Sequence, residues 1–367
     1  MKISIVGAGI MGLGAAWALE RLGHQVTVFE QGAMPNPLAS SNDQHRLIRH
    51  AYGAEIGYMR MVAGAYAIWD RLWADLGETH YRETGTLVVA SGPTSWNHDS
   101  ADALARDGHD VEWLSAAAVA ERYPLLEAAT VGEAFYLPGG GVLLADRILE
   151  SLLRLLARRG VELRPHTPVR QIDPERGWVT LSDGSVVGAD TIIVAAGPWI
   201  GRLVPELARR VTPSRQIVVY VEPPAGTASA WQAMPMLIDL DAESGFFAVP
   251  PVLGSGLKFG DHRFSLSGDP DREREAGQGE IDALMVHPRR RLQQGDAYRV
   301  SHARTCFYTV EPREKFIVEP LGLAGWVMSP CSGHGFKFGP LLGSAVAGAI
   351  DSGQAGDISG WAAGETA

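Results

Sequence analysis

Three glycines in Gly7-Ala8-Gly9-Ile10-Met11-Gly12 stand at the end of the apolar run KISIV, residues 2 to 6, and ahead of an alanine- and leucine-rich stretch. The spacing is G-x-G-x-x-G between a strand and a helix. Gly7 permits a tight turn, Gly9 lets a pyrophosphate approach the backbone, and Gly12 lets the helix pack on the strand. The unpaired N–H groups at the helix start then face the phosphates. Glu30 closes the next strand, QVTVFE, where a carboxylate accepts hydrogen bonds from ribose hydroxyls. Its charge repels a 2′-phosphate, which disfavours NADP. The pattern points to dinucleotide binding, with a purely structural glycine turn as the bland alternative. The loop leaves FAD and NAD open. Two later pieces favour FAD: "IIVAAGPW", 192 to 199, which returns to the nucleotide site, and "SGHGFKFGP", 332 to 340, a glycine-rich turn leading into a helix.

A second set is cationic. "SNDQHRLIRHAYG", 41 to 53, crowds His45, Arg46, Arg49 and His50 beside the nucleotide unit. A phosphate, a flavin or a substrate carboxylate suits such a cluster, and Arg suits a carboxylate because its N–H groups form a planar fork. A basic surface turn is the alternative. Lys258 lies in a strand-like "GLKFG", and Cys306, one of only two cysteines, lies in "TCFYT". Such a cysteine is a nucleophile where cations favour its thiolate, and otherwise a small buried hydrophobe.

Holding these groups together takes a large scaffold. A helix is expected from Gly12 to Leu22, closed by Gly23, which completes a βαβ unit with the flanking strands. Apolar positions at Tyr58, Met61, Val62, Ala65, Ile68, Trp69, Leu72, Trp73 and Leu76 give a 3.6-residue period and predict a helix over 58 to 76, ending at Gly77. "GTLVVAS", 85 to 91, opens a more β-like region, and 92 to 135 mixes short helices with loops. A helix over 146 to 159 is expected, with Asp146 as N-cap and Gly160 as stop. A strand over 161 to 172, a hairpin at Asp183-Gly184 and the buried strand "DTIIVAAG" follow. Residues 215 to 260 read as several strands, 268 to 280 as a charged, solvated linker, 305 to 329 as strands and 340 to 350 as a helix of small residues. The predicted class is mixed α/β: a Rossmann-type nucleotide domain plus a β-rich substrate domain formed by insertions. The nucleotide domain is expected from 1–84, 142–214 and 303–367, and the substrate domain from 85–141 and 215–302.

At 367 residues the chain can bury a large core, and with 20% charged residues it reads as an ordinary globular protein. A net charge of −10 argues against nucleic acid or an anionic membrane as partner. The N-terminus lacks a signal-peptide pattern, no run is long enough to span a membrane, and the end, "GETA", is no peroxisomal address. A cytoplasmic location is expected, and so is the absence of a metal.

Four segments, in order, carry a resemblance: "RLIRHAYG" (46 to 53), "GLKFGDH" (256 to 262), "TCFYTVEPREKFIVE" (305 to 319) and "SGHGFKFGP" (332 to 340). On these the chain resembles the monomeric sarcosine oxidase and N-methyltryptophan oxidase group of the D-amino-acid oxidase-like flavoproteins. The resemblance implies FAD joined through Cys306 to its 8α-methyl. It implies that Lys258 lies over the flavin and promotes reaction with O2, and that Arg49 and Lys337 hold the substrate carboxylate. His262 and Tyr308 become pocket residues, and Arg46 lies beside the flavin. Ser41, Val169, Gly197, Trp199, Gly333, Gly335, Phe336 and Lys337 join Gly7, Gly9, Ile10, Met11, Gly12 and Glu30 around the cofactor. His334 follows the family's S-G-H-G pattern, and Cys331 is expected only to pack or to line the pocket.

Two positions depart from the family. Asn42 stands where sarcosine oxidases carry a flavin-side His, for which His45 is near enough to substitute, and Phe247 stands where they carry a pocket Tyr. The implied activity is oxidation of an N-methyl or cyclic secondary α-amino acid to an imine, with O2 reduced to hydrogen peroxide, by a protein acting as a monomer. The rivals are an FAD dehydrogenase with another electron acceptor and a non-enzymatic flavin-binding redox sensor. Lys258 argues against the first, and the pair Arg49 and Lys337 against the second.

Overall fold

The computed structural model describes residues 1–240 and 245–365. Strand Lys2–Val6, helix Ile10–Arg21 and strand Gln25–Phe29 form the βαβ start, with the strands parallel and Lys2 opposite Gln25. Thr191–Val194 pairs parallel on the other side of Lys2–Val6, and Gly325–Ser329 pairs parallel with Thr191–Val194. Glu162–Arg164 and Ile317–Pro320 complete a six-stranded sheet, the last as its antiparallel edge. These central strands are continuous apolar runs because both faces are covered. Helices Ile10–Arg21, Ala145–Arg158 and Gly339–Ser352 contribute to the main core on one side. A three-stranded antiparallel sheet packs Val179 and Leu181 against Val6, Phe29 and Ile192 on the other.

The first and the Gly339–Ser352 helices cross at backbone contact. A Cβ on Gly14 would lie 2.8 Å from the Gly339 carbonyl oxygen, and one on Gly343 would lie 2.5 Å from the Ala15 nitrogen. Glycine is required there so that the glycine loop and the turn before the second helix converge.

An eight-stranded sheet forms the second layer. Arg299–Val310, at its edge, pairs antiparallel with Thr212–Glu222, placing Cys306 opposite Gln216 and Tyr308 opposite Ser214. Leu257–Asp261 pairs along the other side of Thr212–Glu222, with Lys258 opposite Tyr220. Register alone therefore carries Cys306, Tyr308 and Lys258 to one region.

Three local expectations are corrected. Asp146 does not cap its helix: Ala145–Arg158 begins one residue earlier, with Leu144 at the N-cap, and the Asp146 carboxylate accepts the Arg147 N–H instead. The strand expected over 161 to 172 is two, Glu162–Arg164 and Val169–Asp173, broken at Pro165 and Pro168, which lack an N–H to donate. The charged linker at 268 to 280 is tied down: Asp271 accepts from Trp199 Nε1 at 2.8 Å, and the Arg274 guanidinium lies 4.8 Å from the Phe307 ring centre. Its last three residues belong to a helix, Gln278–Arg291. Within the expected strand region 215 to 260, residues 241–244 lie outside the described residues, as do 366 and 367 of the terminal "GETA".

Candidate active site

A cavity of about 1110 Å³ opens between the two sheets. The residues that the resemblance assigns to the cofactor or the substrate line it, except Gly12 and the flavin-side pair Asn42 and His45. Gly12 serves the loop from behind, since a Cβ there would lie 1.9 Å from the Gly7 carbonyl oxygen.

The nucleotide end is built by the glycine loop. Gly7 has φ of +108°, a conformation costly to any side chain, and its missing Cβ leaves room for the Ala195 carbonyl. The Ser41 hydroxyl accepts the Ile10 N–H at 3.0 Å, and a Cβ on Gly9 would come within 3.1 Å of that hydroxyl. Glu30 is buried and accepts from the Ala8 N–H at 3.0 Å, the Gly32 N–H at 3.0 Å and Asn36 Nδ2 at 2.8 Å. Two carboxylate oxygens offer about four acceptor positions, so Glu30 keeps capacity for a hydroxyl donor. Val169, Gly197 and Trp199 close this end from the strand Val169–Asp173 and the turn Gly197–Trp199.

In the middle, Lys258 is almost fully buried and donates to Asp43 Oδ2 at 2.9 Å and to the His45 carbonyl at 2.7 Å. Burial pulls Lys258 down to about 8 even though Asp43 favours its charge. Arg46 also pairs with Asp43 and donates to the Ser40 carbonyl at 2.6 Å. Tyr220 donates its O–H to Asp43 Oδ1 at 2.5 Å, and Arg304 lies 3.6 Å from the same oxygen. Burial opposes the Asp43 charge, but Lys258, Arg46 and the tyrosine overcome it and hold the carboxyl well below its usual range.

Cys306 Sγ lies 3.8 Å from the Ser40 carbonyl oxygen. The expectation that cations favour its thiolate is overturned for the protein alone. Burial outweighs Arg46 and Arg274 and pushes the thiol up to about 11. Cys331 lines the same cavity and is also a free thiol. Tyr308 is raised above the usual tyrosine range, chiefly by burial.

At the far end, the Arg49 guanidinium lies 4.9 Å from the Tyr52 ring centre and 5.6 Å from that of Trp96. Its Nη1 is buried without a hydrogen-bond partner among the described residues. Lys337 donates to the Tyr52 hydroxyl at 2.7 Å and to the His334 carbonyl at 2.8 Å. The Trp69 indole N–H, bonded to the Lys337 carbonyl at 2.7 Å, fixes the backbone beneath it. Gly333 has φ of +81°, and a Cβ on Gly335 would lie 1.8 Å from the Pro330 carbonyl oxygen, so the turn that presents Phe336 and Lys337 needs both glycines. His262 stands at the exposed rim, its ring centre 5.9 Å from that of Phe247.

The site residues missed in the sequence are Asp43, Tyr52 and Tyr220. Asp43 and Tyr52 fall inside the flagged segment 41 to 53, where a lone acid among cations was a usable signal. Tyr220 had none. His45 does not take the flavin-side position: it bonds the Gly256 carbonyl at 2.9 Å and lies outside the cavity lining, as does Asn42. His50 too faces elsewhere, toward His109, with ring centres 4.4 Å apart.

The residues fit FAD. A cradle that side chains would fill meets a carboxylate with spare acceptor capacity. Buried polar atoms of Arg49, Thr309 and Ser329, all in the cavity wall, lack protein partners among the described residues. Such atoms are costly unless something bonds them.

A family profile described as "DAO: FAD dependent oxidoreductase" matches residues 2–349. Monomeric sarcosine oxidase of Bacillus sp. (strain NS-129) is 27% identical, across 94% of this chain and 91% of its own length. N-methyl-L-tryptophan oxidase of Yersinia pestis (strain Pestoides F) is 25% identical, across 94% and 93%. Among solved structures, L-proline dehydrogenase from P. horikoshii superposes with a TM-score of 0.85 at 16% identity, covering 99% of this chain and 96% of that one. NikD, titled an unusual amino acid oxidase essential for nikkomycin biosynthesis, gives 0.82 at 21%, covering 97% and 95%. At these identities the two structures speak for the fold.

Proposed function

The chain belongs to the FAD-dependent oxidoreductase family, and from that premise we propose that it oxidises a secondary α-amino acid, N-methyl or cyclic, to an imine, with O2 as acceptor and hydrogen peroxide as co-product. The observation that carries this reading is the basic end of the cavity: Arg49 with an unbonded N–H, and the Lys337 amine beside it, against one tyrosine. Neither forms an ion pair among the described residues, so an incoming carboxylate answers both. The two relatives named above, oxidases of sarcosine and N-methyl-L-tryptophan, support the substrate class.

FAD, when bound, supplies the two-electron acceptor and its reoxidation by O2. Gly7, Gly9, Ile10, Met11, Ser41 and Glu30 hold its nucleotide part, with Val169, Gly197 and Trp199 closing over it. Cys306 would be the residue that tethers it through sulfur. Gly333, Gly335 and Phe336 bring a second loop to the same cofactor. Arg49 and Lys337 fix the carboxylate, which orients the substrate's reactive C–H bond. Tyr308 and His262 bound the substrate space. Phe247 and Trp96 make its walls apolar and suit a larger side chain than that of sarcosine. Lys258, with Arg46 next to it, is a fixed positive charge for the negative charge that develops on O2. The product imine is hydrolysed by water after release. The protein acts on this small molecule as a cytoplasmic monomer, and the division into a cofactor domain and a substrate domain follows the segments given above.

The test is an anaerobic screen of the flavin-loaded protein with sarcosine, N-methyltryptophan, pipecolate and proline. At least one should bleach the oxidised-flavin absorbance, and admission of air should restore it with peroxide formed. No bleaching by any secondary amino acid sinks the reading. Bleaching with electrons passed only to a quinone dye would make it a dehydrogenase. Arg49→Ala should weaken carboxylate binding by about 10- to 100-fold, the worth of one or two charge-assisted hydrogen bonds.

A further inference from the structure

Two lysines line this cavity in opposite surroundings. Lys258 has a buried carboxylate at 2.9 Å. Lys337, equally buried, has no ion pair among the described residues. Its nearest charge is another cation, Arg49. Both stand over the Tyr52 ring, Lys337 Nζ at 5.1 Å and the Arg49 guanidinium at 4.9 Å. Glu314 faces Arg49 and Tyr52, while Glu55 pairs with Lys315, so neither carboxylate serves Lys337. Tyr58 and the neutral ring of His334 complete the wall. Burial first, and Arg49 second, hold the Lys337 amine well below the usual lysine value.

The hydrogen bonds around Lys337 have a fixed direction. The Glu314 carbonyl only accepts, so His334 Nε2, 3.2 Å away, carries the hydrogen. His334 Nδ1 then holds a lone pair and accepts the Tyr52 O–H at 3.2 Å. The Tyr52 oxygen accepts from Lys337 Nζ at 2.7 Å, and the His334 carbonyl accepts a second N–H at 2.8 Å. An amine nitrogen has three positions besides its carbon. Two carry these N–H bonds, and in a neutral amine the third is the lone pair.

Building on the carboxylate site proposed above, we propose that Lys337 is neutral in the free protein and takes the ammonium proton of the incoming amino acid. One side chain thereby frees the substrate nitrogen and becomes the cation that holds the carboxylate. An amino acid arrives as a zwitterion, and its nitrogen needs a free electron pair before the adjacent carbon is oxidised. Nitrogen and carboxylate sit on one carbon, so a group bonded to the carboxylate is within reach of the nitrogen. The substrate N–H bond breaks and leaves its electron pair on nitrogen. The Lys337 lone pair receives the proton, and nothing is oxidised or reduced. Arg49 cannot do this, because a guanidinium stays protonated. The two cations therefore have different duties.

Binding of a carboxylate without an amine tests this. Cyclopentanecarboxylate brings no proton, so a neutral Lys337 must take one from solvent. Calorimetry of the flavin-loaded protein, in buffers of differing ionisation enthalpy, should register uptake of about one proton per site. Its Kd should rise about tenfold per pH unit from neutral pH upward, the slope of one linked proton. Lys337→Arg, charged throughout, should bind the probe with no uptake and no slope, and Lys337→Met should lose both. Binding to the wild type without uptake, and with a flat Kd, overturns the proposal and leaves the carboxylate site standing. Uptake that persists in Lys337→Met names another acceptor and also overturns it. Failure of the wild type to bind any carboxylate removes the site itself, and this inference with it.

Discussion

Asp43 stands between Lys258, Arg46 and Tyr220, and its removal would strand two buried cations. Breaking a buried pair by deleting one partner costs about 3–5 kcal/mol. We expect Asp43→Asn to lose stability on that order in urea denaturation at pH 7. A loss below about 1 kcal/mol would mean that the network contributes little. The sign with pH follows from the lowered carboxyl. The contribution of Asp43 is present above the ordinary carboxylate value, near 4, and disappears as pH falls through the folded-state value. Acid should therefore erode the wild type more than the variant. The sequence pointed to the chemistry-bearing residues through local patterns: glycine spacing, the cationic run and the cysteine strand. Asp43 and Tyr220 escaped because their significance is tertiary. Lys258 lies in a distant strand, and the sequence shows no partner for it. At Cys306 the identity was legible but the ionisation was not, because burial outweighs the neighbouring cations.

Elements with strong periodicity were the legible ones. The helix expected over 58 to 76 forms as Ile56–Leu76 and ends at Gly77 in the left-handed conformation. The opening βαβ unit forms as expected because apolar strands and a small-residue helix have few other arrangements. The helix Gln278–Arg291 was hidden by its composition. It carries three consecutive arginines and an internal Pro288, and only Leu284, Met285, Pro288 and Arg291 are buried. What the sequence could not supply was the partner of each face. Gly14, Gly339 and Gly343 read as isolated small residues until the two helices are seen to touch through them. Gly343→Ala places a methyl against the Ala15 backbone. The overpacking should cost about 1–3 kcal/mol, read from the urea midpoint, despite alanine's better helix propensity. A stabilised variant would show that the crossing has slack.

For the whole molecule, the two sheets and the cavity between them follow from strand pairings far apart in sequence. The composition bounded the class and the charge, but the union of segments 7–12, 41–53, 258–262, 306–308 and 333–337 around one cavity is a product of register and helix crossing. A cavity of this size with unbonded polar atoms in its wall makes the folded state dependent on its occupant. In a Cys306→Ser variant, which has no thiol at that position, FAD at a hundred times its Kd should add about 2.7 kcal/mol to stability. An unfolding midpoint unmoved by FAD would contradict the cofactor assignment.

The walls of this cavity have an order in time. A ribosome releases the glycine loop long before the turn from Gly333 to Phe338, and the helix crossing that joins them needs Gly339 and Gly343 as well. A nascent chain stalled before that turn holds half a cradle and should retain no flavin. Products terminated ahead of that turn should therefore emerge colourless and open to quality-control proteases.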